Sequence, residues 1–376
     1  MKRKLIPLLL AVNIFMMTAC GEEEVTMSTN AWIDSDIEGF VTEETVVSEK
    51  DDFAVAANKE LILSENSKNT GLGSIAKEVL RKKRELVNNT AVTGKEIGEA
   101  IKTMPVWKWV LLLVVSLVLA ILMYSFAQLV FLAIDNLWVQ SIVGVVSSIA
   151  MIGLYALFVK WFEKHKAMDI PFRRFAQDTA KGLGVGFGFF VGVVLIMMLL
   201  GLYRIDSIGT DKPMQIVSAF FLFLLVGTGE EILFRGVLFR WIDEKWGYVA
   251  ALTVSSVVFG FIHFSEPNAT LWSSLAIAVE AGLLLGAAYK YSGTLWLPIG
   301  IHWAWNFTQG NIFGFEVSGK DLGASLLKST VSGPDWLTGG AFGAEASVIP
   351  VLLGLILSAW YIWKTHRLHD GTIEKT

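Results

Sequence analysis

The sequence predicts an all-α fold: a polytopic membrane helix bundle of about eight transmembrane helices with a largely non-globular N-terminal extension. Three observations predict it. The chain is 53% hydrophobic and only 18% charged, whereas soluble globular chains carry about a quarter charged residues. The apolar surplus is gathered into long runs separated by short polar loops, and spanning a bilayer takes roughly 20 apolar residues. Trp107, Trp109, Trp138, Trp161, Trp296 and Trp360 stand near the ends of these runs, as an aromatic belt at the membrane interface would.

The first segment, residues 1–20, reads "MKRKLIPLLLAVNIFMMTAC". A basic start, an apolar stretch and a small residue before cysteine form the layout of a secretory signal. Its end resembles a bacterial lipobox, with lipidation at Cys20; an uncleaved hydrophobic anchor is the alternative. Cys20 is the only cysteine, so neither an intrachain disulfide nor a cysteine-rich metal site can form. Residues 21–105 are acidic at first, poor in large apolar side chains, and lack the means to build a core. Basic amphipathic helices follow, suited to an anionic membrane surface or to a solvated linker.

Residues 106–365 form the expected intramembrane domain, with spans near 107–131, 137–161, 183–203, 214–234, 248–264, 272–289, 295–310 and 347–363. Residues 366–376 form a cytoplasmic tail. Glycine recurs in "GLGVGFGFFVGVV", which suits close helix packing in lipid. Lysine and arginine concentrate in the loops after the second, fourth, sixth and eighth spans, and the positive-inside rule makes that side cytoplasmic. A lipidated Cys20 would lie outside, while the basic segment before Trp107 should lie inside, with no span between them. The summed loop charge decides the orientation, and the protein is expected in a bacterial cytoplasmic membrane.

An ionisable group at the bilayer centre costs about 2.5–3.5 kcal/mol on insertion scales and is a functional hypothesis by default. The spans hold few such groups: Glu230, Glu231 and Arg235 in "GTGEEILFRG", His263, Glu280, and His302 with Asn306 in "HWAWN". Glu231 and Arg235 are four apart, acid first, the favourable order for a helical ion pair. Glu230 points about 100° away on the same helix, so one carboxylate can be neutralised while the other faces elsewhere. His302 and Asn306 share a face, as do Phe259 and His263.

A buried carboxylate can serve as general base on water. Histidine can share that water, and a second histidine with an asparagine amide can stabilise an oxyanion. Those are parts for peptide hydrolysis without a covalent enzyme intermediate. Zinc held by Glu230, His263 and His302 is the rival use of the same set. The chain contains no H-E-x-x-H, which argues against the zincin design.

The three motifs E-E-x-x-x-R, F-x-x-x-H and H-x-x-x-N, in this order and each on an apolar run, resemble the CAAX protease and bacteriocin-processing family, also called the Abi family. The resemblance covers roughly residues 105–365. It implies a CAAX-type intramembrane endopeptidase with Glu230 as the base, Glu231 and Arg235 as supporting pair, His263 on the water, and His302 and Asn306 at the oxyanion. The implied cofactor is none or zinc. The implied partners are the bilayer and a membrane-associated peptide or protein substrate, without nucleic acid. Glu280 has no role in the family pattern. A non-catalytic membrane protein of the same fold, acting as immunity factor or scaffold, is the alternative.

Overall fold

The computed structural model describes residues 101–163 and 167–369. The signal-like segment with Cys20, almost all of residues 21–105 and the end of the tail lie outside them. Within them the chain is mostly helical, and seven helices are long and apolar enough to cross a membrane.

Local sequence sets where the helices begin. Helix α1 spans Val106–Leu132 behind Pro105. Helix α2, Leu137–Phe162, is capped by Asn136, whose side chain accepts from the backbone N–H groups of Trp138 and Val139, satisfying donors that a helix start leaves free. Helix α3, Phe175–Leu199, follows a 3-10 turn at Phe172–Arg174. Strand β1 is Tyr203–Ile208. Helix α4, Pro213–Glu231, has proline in its first turn, where the missing N–H costs nothing. It runs through a π-helical segment, Ile232–Phe239, into α5, Arg240–Trp246. Gly247, at φ 86°, ends that rod, and α6 follows at Tyr248–Ile262.

Helix α7, Leu271–Ile277, opens with a reciprocal Thr270–Ser273 capping box. A π turn, Ala278–Gly282, joins it to α8, Leu283–Ser292. Helix α9, Trp296–Phe307, runs into a third π turn, Thr308–Ile312. Strand β2, Leu327–Val331, pairs antiparallel with β1, Tyr203 opposite Val331. The short α10, Asp335–Thr338, precedes the last helix, α11, Val348–His369.

Three differences from the sequence reading have physical causes. The expected span at 295–310 is a helix of 12 residues extended by a π turn of five; it sits inside the bundle, with Trp296, Leu297, Ile299 and Ile301 buried. The third span's helix starts at Phe175, about two turns before the expected 183, because Arg174 and Asp178, one turn apart, neutralise each other at 3.0 Å. The β1–β2 pair was not expected, since both strands lie in polar connections between apolar runs.

Large apolar side chains point outward: Ile142 is 62% exposed, Ile149 65% and Ile356 67%. In water such a surface would be costly; against lipid it is the expected exterior. Only 22% of the most apolar window of Val106–Leu132 is buried, against 67% for Leu271–Ser292. The two most buried windows, at 56% in Pro213–Trp246 and 67% in Leu271–Ser292, belong to the spans that carry Glu230, Glu231, Arg235 and Glu280.

Lipid gives helices no hydrophobic drive to associate, so close packing must do it. At the α3–α9 crossing a Cβ on Gly182 would lie 2.4 Å from the Leu297 carbonyl oxygen, and one on Gly186 2.3 Å from that of Ile301. Only glycine permits this main-chain contact, which fixes α9 at the turn before His302.

The basic residues gather at one end. Arg240 holds Glu163 at 2.6 Å, Lys290 holds Asp243 at 2.6 Å, and Arg174 donates to the Ser292 carbonyl. Lys245 caps the carbonyls of Ile101, Lys102 and Met104. The β1–β2 pair, tied in by the Tyr203 hydroxyl to the Phe313 carbonyl at 2.7 Å, lies at the other ends of the same helices.

Candidate active site

The α4 sequence places Glu230 and Glu231 in its last α-helical turn, just before the π segment. Glu231 is fully buried, and its Oε1 takes two charge-assisted contacts: Arg235 Nη1 at 2.8 Å and His302 Nδ1 at 2.8 Å. Arg235, also fully buried, donates further to the carbonyls of Gly282 at 3.1 Å and Ala281 at 3.4 Å. Those carbonyls belong to the end of the π turn in the α7–α8 rod, where widening of the helix frees backbone acceptors. The Arg235 guanidinium also lies 4.7 Å from the Phe259 ring centre, a cation–π contact strengthened by burial.

His302 therefore has one nitrogen committed. Its Nδ1–H donates to Glu231, which fixes the ring and turns Nε2 toward Glu230, 3.8 Å from Glu230 Oε2. This is the logic by which a carboxylate orients an imidazole. Asn306 is half-buried one turn further along α9.

Glu230 is held differently. Its Oε1 accepts from the Tyr124 hydroxyl of α1 at 3.0 Å, and the Gln128 amide donates to that hydroxyl at 2.7 Å. Its Oε2 is buried and bonded to no protein group. The two adjacent glutamates are thus divided: Glu231 is locked between Arg235 and His302, and Glu230 keeps one oxygen for other work.

His263 closes α6. Its Nδ1–H donates to the Phe259 carbonyl at 2.7 Å, and its ring centre lies 5.1 Å from that of Phe259. Phe259 in turn stands 6.0 Å from the His302 ring. Phe259 thus separates the two imidazoles while touching both. Among the described residues no group of three His, Cys, Asp or Glu side chains is placed to hold a metal ion. Glu230, His263 and His302 do not form a ligand set in this arrangement.

Glu280 lies in the π turn Ala278–Gly282, fully buried, with neither carboxylate oxygen hydrogen-bonded. Helix α11 presses on it through Gly354, where a Cβ would come 2.8 Å from the Glu280 Cα. Glu280 does not join the glutamate–histidine cluster through any hydrogen bond.

Tyr124, Gln128 and Glu345 were missed in the sequence. A tyrosine and a glutamine four apart on the first apolar run are the signal for the first two. Glu345, outside the spans, is buried just before α11 and accepts from the Ser318 N–H at 2.5 Å. Burial pushes its carboxyl above the usual carboxylate range, against the opposing pull of His263.

Residues 212–308, which contain all seven motif residues from Glu230 to Asn306, match the family model for Rce1-like type II CAAX prenyl endopeptidases. YdiL of Bacillus subtilis (strain 168), a candidate membrane peptidase, is 24% identical over 183 residues, or 45% of this chain and 70% of YdiL. No solved structure matches. Residues 212–308 of this multi-span chain accordingly form a domain of the Rce1-like type II CAAX prenyl endopeptidase family.

Proposed function

We propose that the protein is an intramembrane endopeptidase that hydrolyses a peptide bond of a membrane-associated substrate with water activated by Glu230. The observation that carries this reading is the free Glu230 Oε2, 3.8 Å from His302 Nε2. That gap is too wide for a direct hydrogen bond and suits a water oxygen bonded to both. Glu230 takes a proton from the water as its oxygen attacks the carbonyl carbon. The developing oxyanion is met by donors on α9, the Asn306 amide and the His302 imidazolium. Glu230 then returns the proton to the leaving nitrogen as the C–N bond breaks, releasing a carboxylate and an amine.

The geometry favours His302 over His263 as the group sharing the water, because His302 alone of the two has a nitrogen close to Glu230. His263 then faces the substrate or its carbonyl from the end of α6. The basic end of the bundle faces the cytoplasm in this reading.

The test is Glu230→Gln in purified, detergent-solubilised protein with a library of prenylated and unmodified peptides. Cleavage by the wild type and loss of more than about a hundredfold in the variant is the expected result. Cleavage that survives the change removes Glu230 from its role. Absence of cleavage by a folded wild type across the library returns the protein to the non-catalytic, scaffold or immunity reading.

A further inference from the structure

We propose that Tyr124 is the positioning residue of the active site: its hydroxyl aims the free oxygen of Glu230 at His302. This rests on the reading of Glu230 as the base.

Four observations carry it. The Tyr124 hydroxyl donates to Glu230 Oε1 at 3.0 Å. Its own acceptor side is filled by the Gln128 amide at 2.7 Å. The hydroxyl hydrogen is therefore committed to Glu230 and cannot turn to a competing acceptor. The ring packs on Gly229, where a Cβ would lie only 2.2 Å from the Tyr124 Cδ2. The glycine before the two glutamates is thus the seat for this ring, and α1 is locked to α4 at the residue preceding the base. Finally, Glu230 Oε2 has no protein partner, so the Tyr124 contact is what fixes the carboxylate plane.

The physics follows from the hydrogen bond. A phenol hydroxyl that donates to a carboxylate makes a charge-assisted hydrogen bond, stronger than one between neutral groups. It also restricts rotation of the carboxylate, which would otherwise swing Oε2 away from His302. The charged and titratable groups facing Glu230 are few. Tyr124 comes from α1, and His302 from α9. Glu231 and Arg235 come from its own rod, and these two are paired to each other. Glu266, after α6, lies within electrostatic reach of the Tyr124 phenol.

Tyr124→Phe tests this, because it keeps the ring against Gly229 and removes only the hydroxyl. The expected result is a kcat about tenfold lower, with KM within about twofold. The loss falls on kcat because a carboxylate freed from Tyr124 no longer presents Oε2 to the water shared with His302. Gln128→Met should lower kcat by less, again with KM nearly unchanged. A packing role alone would leave kcat at the wild-type value, since the phenylalanine ring stays against Gly229.

Wild-type kcat in Tyr124→Phe overturns the proposal, as does a loss confined to KM. Glu230→Gln, assayed alongside, separates the two readings. If that variant retains cleavage, the base assignment and the Tyr124 role fall together. If it is inactive while Tyr124→Phe is indistinguishable from wild type, only the Tyr124 role falls.

Discussion

Replacing Arg235 with methionine keeps a long side chain in place and removes the guanidinium paired with Glu231, leaving His302 on the same carboxylate oxygen. Both charges are fully buried, 2.8 Å apart, and the second oxygen of Glu231 has no partner. Breaking one side of a buried pair strands the other charge and costs about 3–5 kcal/mol. The bonds to the Ala281 and Gly282 carbonyls are lost as well. For a bundle of this size that loss lowers the melting temperature on the order of 10 °C. Glu231→Gln should cost a comparable amount, because it strands Arg235. The double variant removes both charges of the pair and strands neither, so its loss should fall short of the sum by about 2–3 kcal/mol. The assay is loss of helical circular dichroism on heating in detergent micelles, for the wild type, both single variants and the double. Additive losses would refute the argument, since they would show that the two side chains do not act as a pair.

Other outcomes follow from the same geometry. Gly229→Ala drives a methyl group into the Tyr124 ring; overpacking of about 1–3 kcal/mol and loss of cleavage are expected in melting and activity assays. Glu280→Met should raise the melting temperature by a few degrees and leave kcat/KM within about twofold, because it replaces a buried carboxyl that has no hydrogen-bond partner. Chelator treatment should leave cleavage unchanged, since Glu230, His263 and His302 are not gathered as ligands; a loss that zinc restores would contradict this. Burial holds Asp169, in the loop after α2, above the usual carboxylate range despite Arg240 and the Tyr155 hydroxyl. Its contribution to stability is therefore full below the ordinary carboxylate range and is lost as pH rises toward its raised value. Asp169→Asn should flatten that part of the melting temperature–pH curve.

Much of the bundle was legible because lipid imposes a coarse rule: apolar runs of bilayer length become helices. The 295–310 segment escaped that rule's length criterion because its helix is interior and short, held by backbone contact with glycines of α3 rather than by lipid. The Glu231–Arg235 contact follows from spacing within one helix. The Glu231–His302 bond could not be read the same way, because it joins residues 71 apart on different helices. For that reason the sequence grouped His302 with Asn306, and with Glu230 and His263 as candidate ligands, but not with Glu231. Tyr124 was invisible for a different reason: a phenol in an apolar run carries no charge to mark it, and its importance arises only where α1 crosses Gly229. The β1–β2 pair was hidden because strands of six and five residues in polar loops leave little periodicity to detect.

All three π segments lie in the rods that build the site: Ile232–Phe239 directly after Glu231, Ala278–Gly282 offering carbonyls to Arg235, and Thr308–Ile312 just past Asn306. A π turn holds one residue more than the α turn it replaces. Deleting a single residue within Ile232–Phe239 would therefore remove the extra residue and let the turn close to regular α geometry, with Arg240 and the residues beyond it kept on their faces. The same deletion in a regular turn of α4 has no such slack and would rotate the helix on one side of it by about 100° against the other. In this protein the π segments are thus the places where the rods around the site can lose a residue and keep their register. The reading frame of the helix, counted in turns, is part of what specifies the active site.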